Sequence, residues 1–301
     1  MVRYEPAIDL GRIDALDVHV HVESDCRGNL SLDDELIQAS SKYFRSGENR
    51  TPTVEFLAER YRRAKMAAVV FTVDASTNLG SAPLDSAEIA ERCGDHADVL
   101  IPFGSVDPWK GEEAIEQAQS LVMVHGVRGF KFHPTLQGFA PNDEQHSGLW
   151  EAIEELNVPV LVHTGQNGIG AGLPGGRGLK LRYSDPLLMD DVAADHPNLS
   201  IILAHPSVPW QSEAISMATH KSNVFIDLSG WSPKYFPEEL VRAAGGQLRK
   251  KVIFGSDYPL ISPERWMADF DALGIASECK PGIFKNTAAA ILGLSDTDGK
   301  L

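Results

Sequence analysis

One pattern constrains the fold of this 301-residue chain more than any other. A short apolar run is followed by an amphipathic stretch, and the pair repeats from one end to the other. The runs are LDVHVH (16–21), AAVVFTVDA (67–75), VLIPFGSVD (99–107), VRGFKFHP (127–134), VPVLVHTG (158–165), LSIILAHP (199–206), VFIDLSG (224–230) and KVIFGSDYP (251–259). Between them stand VEFLAERYRRAK, SAEIAERCGDHA, GEEAIEQAQSLV, LWEAIEELN, PLLMDDVAAD and PEELVRAAGGQL, all with helical patterning. Strands that are apolar at nearly every position are buried on both faces, as parallel strands covered by helices must be. Eight such units in about 250 residues predict an α/β fold, a single-domain (β/α)8 barrel of the TIM type spanning residues 1–301.

A doubly wound open sheet is the competing architecture, and the absence of GxGxxG or GxxxxGKS/T at any strand-to-helix turn speaks against it. GIGAGLPGGRG (168–178) has the glycines without the spacing and reads as a mobile loop. The long connections, residues 22–52, 135–146 and 166–184, all follow strands. In a barrel they open onto the C-terminal face, where active sites are built. The opposite connections, such as NVP (157–159) and HPNLS (196–200), are short. That asymmetry favours an enzyme over a passive scaffold.

The formal charge of −15 speaks against a broad nucleic-acid or anionic-membrane surface, and the expected partner is a small-molecule substrate. Cys26, Cys93 and Cys279 form no CxxC, which suits a reducing compartment. MVRYEPAIDLGRID lacks the apolar centre of a secretory signal, and no apolar run reaches membrane-spanning length. The expectation is a cytoplasmic protein, with a homo-oligomer compatible with everything above.

In LDVHVHVES (16–24) strict alternation puts Val18 and Val20 on one face and Asp17, His19 and His21 on the other. Taken alone, that face is as well explained by a solvated edge as by metal ligands. The other strands decide it. Lys131 and His133 end the fourth, His163 the fifth, His205 the sixth and Asp257 the eighth. Neutral imidazoles with a carboxylate suit a divalent transition metal, zinc most naturally, with manganese the alternative. Such an ion lowers the pKa of bound water from near 16 to about 7, or polarises a carbonyl. A neighbouring carboxylate can carry the proton. His96, His125, His146, His196 and His220 read as solvated or capping residues.

DVHVH, HTG, AHP and FGSDYP, in this order on successive strands, resemble the amidohydrolase superfamily. The similarity is to its amidohydrolase-related branch, which holds aminocarboxymuconate-semialdehyde-type decarboxylases, lactonases and related hydrolases. The resemblance implies that His19, His21 and His163 are metal ligands, and that Asp257 is both ligand and proton shuttle. It implies that His205 bonds the reacting group. Lys131, carboxylated, bridges two ions in some members and contacts substrate in others. One metal is favoured, since this branch is mostly mononuclear. His133 is assigned to the pocket, with a core histidine bonded to a carbonyl as its alternative.

Arg177, Lys180 and Arg182 lie in a glycine-rich loop suited to closing on a carboxylate or phosphate. Trp210, Trp231, Tyr235 and Phe236 follow strands at the same rim and could wall an apolar pocket. The leading functional expectation is a metal-dependent hydrolase of a small carboxylated or acyl-activated carbonyl compound, with Asp257 handling the proton and His205 the developing charge. The alternative is a metal-dependent decarboxylase of an aromatic or dienoic acid. HPSVPW, SGWSPKYFP and GAGLPGG are similar to 4-hydroxyphenyl-β-ketoacyl-CoA hydrolases, which implies aromatic catabolism and a basic loop that meets CoA phosphates. A non-catalytic barrel would show a missing ligand, and no family position is missing.

Overall fold

The computed structural model describes residues 3–44 and 50–294. Its strands are β1 Ala15–His21, β2 Met66–Phe71, β3 Leu100–Pro102, β4 Phe130–Phe132, β5 Val160–His163, β6 Ile201–Ala204, β7 Val224–Asp227 and β8 Val252–Ile253. All pair in parallel, β1 to β3 in one ladder and β4 to β8 in another. Backbone bonds close both seams. At one, Lys131 N donates to Gly104 O (2.7 Å) and Gly104 N to Gly129 O (2.8 Å). At the other, Val18 N donates to Phe254 O (3.1 Å), and Asp257 N to His19 O (2.9 Å). The result is a closed (β/α)8 barrel.

Alternation along each strand makes two apolar layers. Val160 and Val162 of β5 face outward, into the outer apolar layer that also holds Trp150 and Leu57 of the helices. Leu161 faces inward with Val69, Ile101, Ile202 and Ile253, filling the barrel. The same phase sends Phe130 and Phe132 outward from β4, so Lys131 and His133 point inward. Ladders end earlier than the apolar runs; the third run, 99–107, pairs only over Leu100–Pro102. Beyond the ladders the chain diverges over the barrel mouth. There the connection after β1 carries helix Asp34–Phe44, and the one after β5 carries short turns at Pro174–Gly178 and Leu181–Ser184. No helix among the described residues is long and apolar enough to cross a membrane.

Candidate metal centre and active site

β1 departs from simple alternation. Leu16 and Val18 belong to the inner layer and Val20 to the outer, and the pairing with β2 shifts register between Asp17 and Val20. The irregularity sends Asp17 to the back of the strand, correcting the expectation that it shares a face with His19 and His21. There it accepts from Tyr61 Oη (2.7 Å), Ser256 N (2.9 Å), Ser256 Oγ (2.5 Å) and His19 N (3.1 Å). Apart from His19 N, within β1 itself, these donors come from the helical layer and from the turn after β8. Asp17 therefore ties β1 to the residue preceding Asp257.

His19, His21, His163, His205, Asp257, Lys131 and His133 all line one cavity of about 350 Å³ at the barrel mouth. Ligand atoms of His19, His205 and Asp257 lie within 4.8 Å of one another. Asp257 Oδ1 stands 3.3 Å from His19 Nε2 and 3.1 Å from His21 Nε2. His163 Nδ1 is 3.0 Å from His205 Nε2, and its ring stacks on His133 at 3.8 Å. His205 (φ 74°) and Asp257 (φ 67°) both occupy the left-handed region, unusual for side-chain-bearing residues and costing roughly 1–3 kcal/mol each.

Asp227 of β7, 2.6 Å from His19 Nδ1, turns the ring so that Nε2 faces the cavity. Ser229 Oγ joins the same cluster, 2.9 Å from His19 Nδ1 and 3.0 Å from His205 Nδ1. Backbone closeness is enforced at Gly255, where a Cβ would fall 2.2 Å from Asp227 Oδ1. On the other side, His21 Nδ1 faces Glu23 at 3.6 Å. Imidazoles held from behind by carboxylates are how proteins orient metal ligands.

Electrostatics favour neutral rings. Burial, then the Lys131 ammonium, drives His19 well below its ordinary value. Burial and neighbouring histidines do the same for His163, and burial takes His205 to about 4. Burial works to raise Asp257, but the bond from His21 and the surrounding cationic groups hold it below the usual carboxylate range. Burial brings Lys131 down to about 8, against the pull of Asp257 and Asp227.

The donor set fits a divalent cation. A ring nitrogen and a carboxylate oxygen, His19 Nε2 and Asp257 Oδ1, face each other at 3.3 Å. His163 Nε2 is buried without a hydrogen-bond partner among the described residues. Unpaired buried acceptors of this kind are costly unless something positive meets them.

Other expected positions divide. Trp231 and Tyr235 line the cavity, whereas Phe236 packs on the core beside Trp266. Arg177 does not reach the cavity; its guanidinium pairs with Asp33 and, at 3.3 Å, with Glu35 of helix Asp34–Phe44. Arg182 is exposed over the Tyr183 ring (5.1 Å), and Trp210 caps helix Gln211–His220 outside the cavity. Those assignments to substrate are corrected: the acidic helix after β1 engages Arg177, and the other two stand outside the walls. His133 lines the cavity, and its Nδ1 accepts from Leu136 N at 3.2 Å, an amide rather than a carbonyl. His146, expected to be solvated, is buried between Trp109 and Phe139.

Sequence reasoning missed Asp227, Ser229, Glu23 and Arg50. The signal for Asp227 was present, since its phase in VFID is opposite to the outward Val224 and Ile226. Arg50, by contrast, sits in a connection without periodicity. It lines the cavity, and its Nη1 is buried with no partner among the described residues.

Many solved structures share this fold, and three illustrate it. An uncharacterized TIM-barrel protein from Bordetella bronchiseptica aligns with TM-score 0.74 at 18% identity, covering 93% of this chain and 98% of that one. 2,6-Dihydroxybenzoate decarboxylase from Rhizobium aligns at 0.67 and 16%, covering 94% and 99%. A dihydroxybenzoic acid decarboxylase from Polaromonas, with bound manganese and the inhibitor 2-nitroresorcinol, aligns at 0.66 and 14%, covering 94% and 97%. Comparison with curated proteins by sequence gave no match. The amidohydrolase family model matches residues 16–294, nearly the whole barrel with every motif at its mouth, and the chain belongs to that family.

Proposed function

We propose that this chain is a metal-dependent carboxy-lyase that releases CO2 from an aromatic or dienoic acid. The observation that carries the reading is Arg50, a half-buried cation whose Nη1 has no hydrogen-bond partner among the described residues, in a cavity whose walls include Phe44, Trp231 and Tyr235. Glu23 and Asp257 are its charged neighbours, and the free guanidinium nitrogens suit a flat carboxylate, which they can grip through two parallel bonds. Support for CO2 loss over hydrolysis comes from the two decarboxylases of hydroxylated benzoates that share the fold. The acyl-CoA form of the hydrolase reading is weakened by Arg177, whose charge is engaged by Asp33 and Glu35.

The proposed ligands are His19, His21, His163 and Asp257, with His205 in the same group, its ligand atom within 4.8 Å of those of His19 and Asp257. A bound zinc or manganese ion would withdraw electron density from the substrate's oxygens. In the reaction, the bond from the carboxylate carbon to the ring or chain breaks, its electron pair stays on the remaining carbon, and a proton replaces CO2 there. Asp257, ionised at rest, must first collect that proton from the substrate or solvent and then deliver it. Lys131 and Arg50 hold the anionic substrate while the aromatic walls exclude water.

The test is a panel of hydroxybenzoates and dienoic acids with manganese- or zinc-loaded protein, following CO2 release and oxygen-18 uptake from labelled water. CO2 release without oxygen-18 in the organic product is expected. Oxygen-18 uptake without CO2 would assign the same residues to hydrolysis.

A further inference from the structure

We infer that Ser40 and Thr72 are specificity-determining residues whose hydroxyls meet a polar substituent that the substrate carries in addition to its carboxylate. Both residues line the cavity, and both are buried, at 6% and 1% exposure. Neither Ser40 Oγ nor Thr72 Oγ1 has a hydrogen-bond partner among the described residues. A buried hydroxyl in that state destabilises the fold that holds it. Its presence is explained when a ligand supplies the missing partner.

Ser40 has an acceptor within reach in its own helix and does not take it. A helical serine or threonine can donate to the carbonyl four residues back. Its neighbour Ser41 does so to Ile37 O, as do Ser216 to Ser212 O and Thr219 to Ile215 O, each at 2.7 Å. Ser40 is the most deeply buried of the four, yet its Oγ makes no such bond. Ile37, Tyr43 and Phe44, three or four positions away on helix Asp34–Phe44, line the cavity as well. Those spacings share one helix face, so Ser40 stands in the middle of the stripe that covers the cavity. Alanine is the better helix former and carries no unmet hydrogen, so helix packing alone gives no reason for the hydroxyl.

Thr72 follows β2 directly. The Phe71 ring before it packs edge-on against His19 and His21, with centroids 5.1 and 4.9 Å apart, and Val73 after it lines the cavity. Valine matches threonine in branching and lacks only the hydroxyl. Thr72 therefore brings a hydroxyl to the histidine side of the cavity, and Ser40 brings one from the helix above. In the proposed reaction, on which this step rests, Arg50 takes the carboxylate. The protein hydroxyls each donate one hydrogen and accept through two lone pairs, so the substituent they suit is a neutral hydroxyl. An acid with a methyl group in its place would leave them unmet, and such analogues are rejected.

Pairs of benzoates that differ only in hydroxyl against methyl at ring position 3, 4 or 5 isolate this effect, the two groups being close in size. Calorimetry with manganese-loaded protein reads binding, and CO2 release reads kcat/KM. Wild type should favour the hydroxyl member of at least one pair by roughly tenfold or more. The double variant Ser40→Ala, Thr72→Val should bring that ratio within about twofold, leave the affinity for the methyl member unchanged, and melt at or above the wild-type temperature. Thr72→Ser, which keeps the hydroxyl, should keep the preference. A wild type that binds both members of every pair alike, or binds neither, overturns the inference. A double variant that retains the preference overturns it too, as does one that loses both members equally and melts lower, the mark of a structural role. If no benzoate loses CO2 while the hydroxyl preference stands in calorimetry, the proposed function fails and this inference holds.

Discussion

Asp17→Asn isolates the buried carboxyl behind β1. Burial raises Asp17 from 3.8 to about 6, against the opposing bonds from Ser256, Tyr61 and His19. The folded state therefore binds this proton more tightly than the unfolded chain does. Stability from this group is complete below the unfolded value and is lost as pH rises through the folded one. A shift of about two units at 1.36 kcal/mol each makes the whole span about 3 kcal/mol. Between pH 8 and pH 5 the gain recovered by protonation is about 1.4 kcal/mol. Asparagine cannot titrate and has no such gain. It also offers an amide where the carboxyl accepted from two hydroxyls, leaving those hydrogens to find other acceptors at roughly 1–3 kcal/mol each.

The variant should consequently be less stable than wild type, and by about 1.4 kcal/mol more at pH 5 than at pH 8. Urea unfolding of metal-free protein at the two pH values measures this, provided the slope with denaturant is unchanged by the substitution. The difference between variant and wild type cancels every other titrating group. An equal deficit at both pH values would refute the reasoning, and a larger deficit at pH 8 would show that the fold stabilises the carboxylate.

Two further substitutions probe the site. Gly255→Ala places a methyl 2.2 Å from Asp227 Oδ1 and 2.9 Å from His19 Cβ, so it should displace the carboxylate behind His19. Zinc affinity should drop roughly 10–100-fold, read by chelator competition; unchanged affinity would remove Asp227 from the orientation of His19. Arg50→Ala should raise KM for a carboxylate substrate by roughly tenfold or more, the worth of a charge-assisted bond of about 1.5–3 kcal/mol. Arg50→Lys should restore little of it, since an ammonium cannot make the paired bonds. Arg177→Ala serves as the contrast and should leave KM within about twofold, as its charge is spent on a surface pair worth roughly 0–1 kcal/mol. Steady-state kinetics decide both, and a larger effect at Arg177 than at Arg50 would reverse the assignment.

What the sequence made legible follows from which positions obey a period. In β5, Val160 and Val162 face out and Leu161 and His163 face in, so one glance at VLVH places the histidine at the mouth. The same holds for Lys131 and His133 in β4, and by the same rule it should have held for Asp227 in β7. β1 was readable only in part, because its register shift exchanges faces between Asp17 and His19, and no residue in LDVHVH signals an irregularity. His205 and Asp257 lie past their ladders in left-handed conformations, where strand phase says nothing about direction. Their place was inferred from the motifs around them.

The misassigned residues, Arg177, Arg182 and Trp210, all lie in connections, as does the overlooked Arg50. A charge in a loop has no partner that sequence can name. Arg177 met Asp33 across 144 positions, while Arg50, in the same acidic protein, met the cavity that the histidines and Asp257 line. Composition could not separate the two, since both are arginines beside glycine-bearing stretches. The distinction arises from which helix covers which side of the mouth. It is therefore the packing of helix Asp34–Phe44, rather than any motif, that holds Arg177 away from the cavity that Arg50 lines.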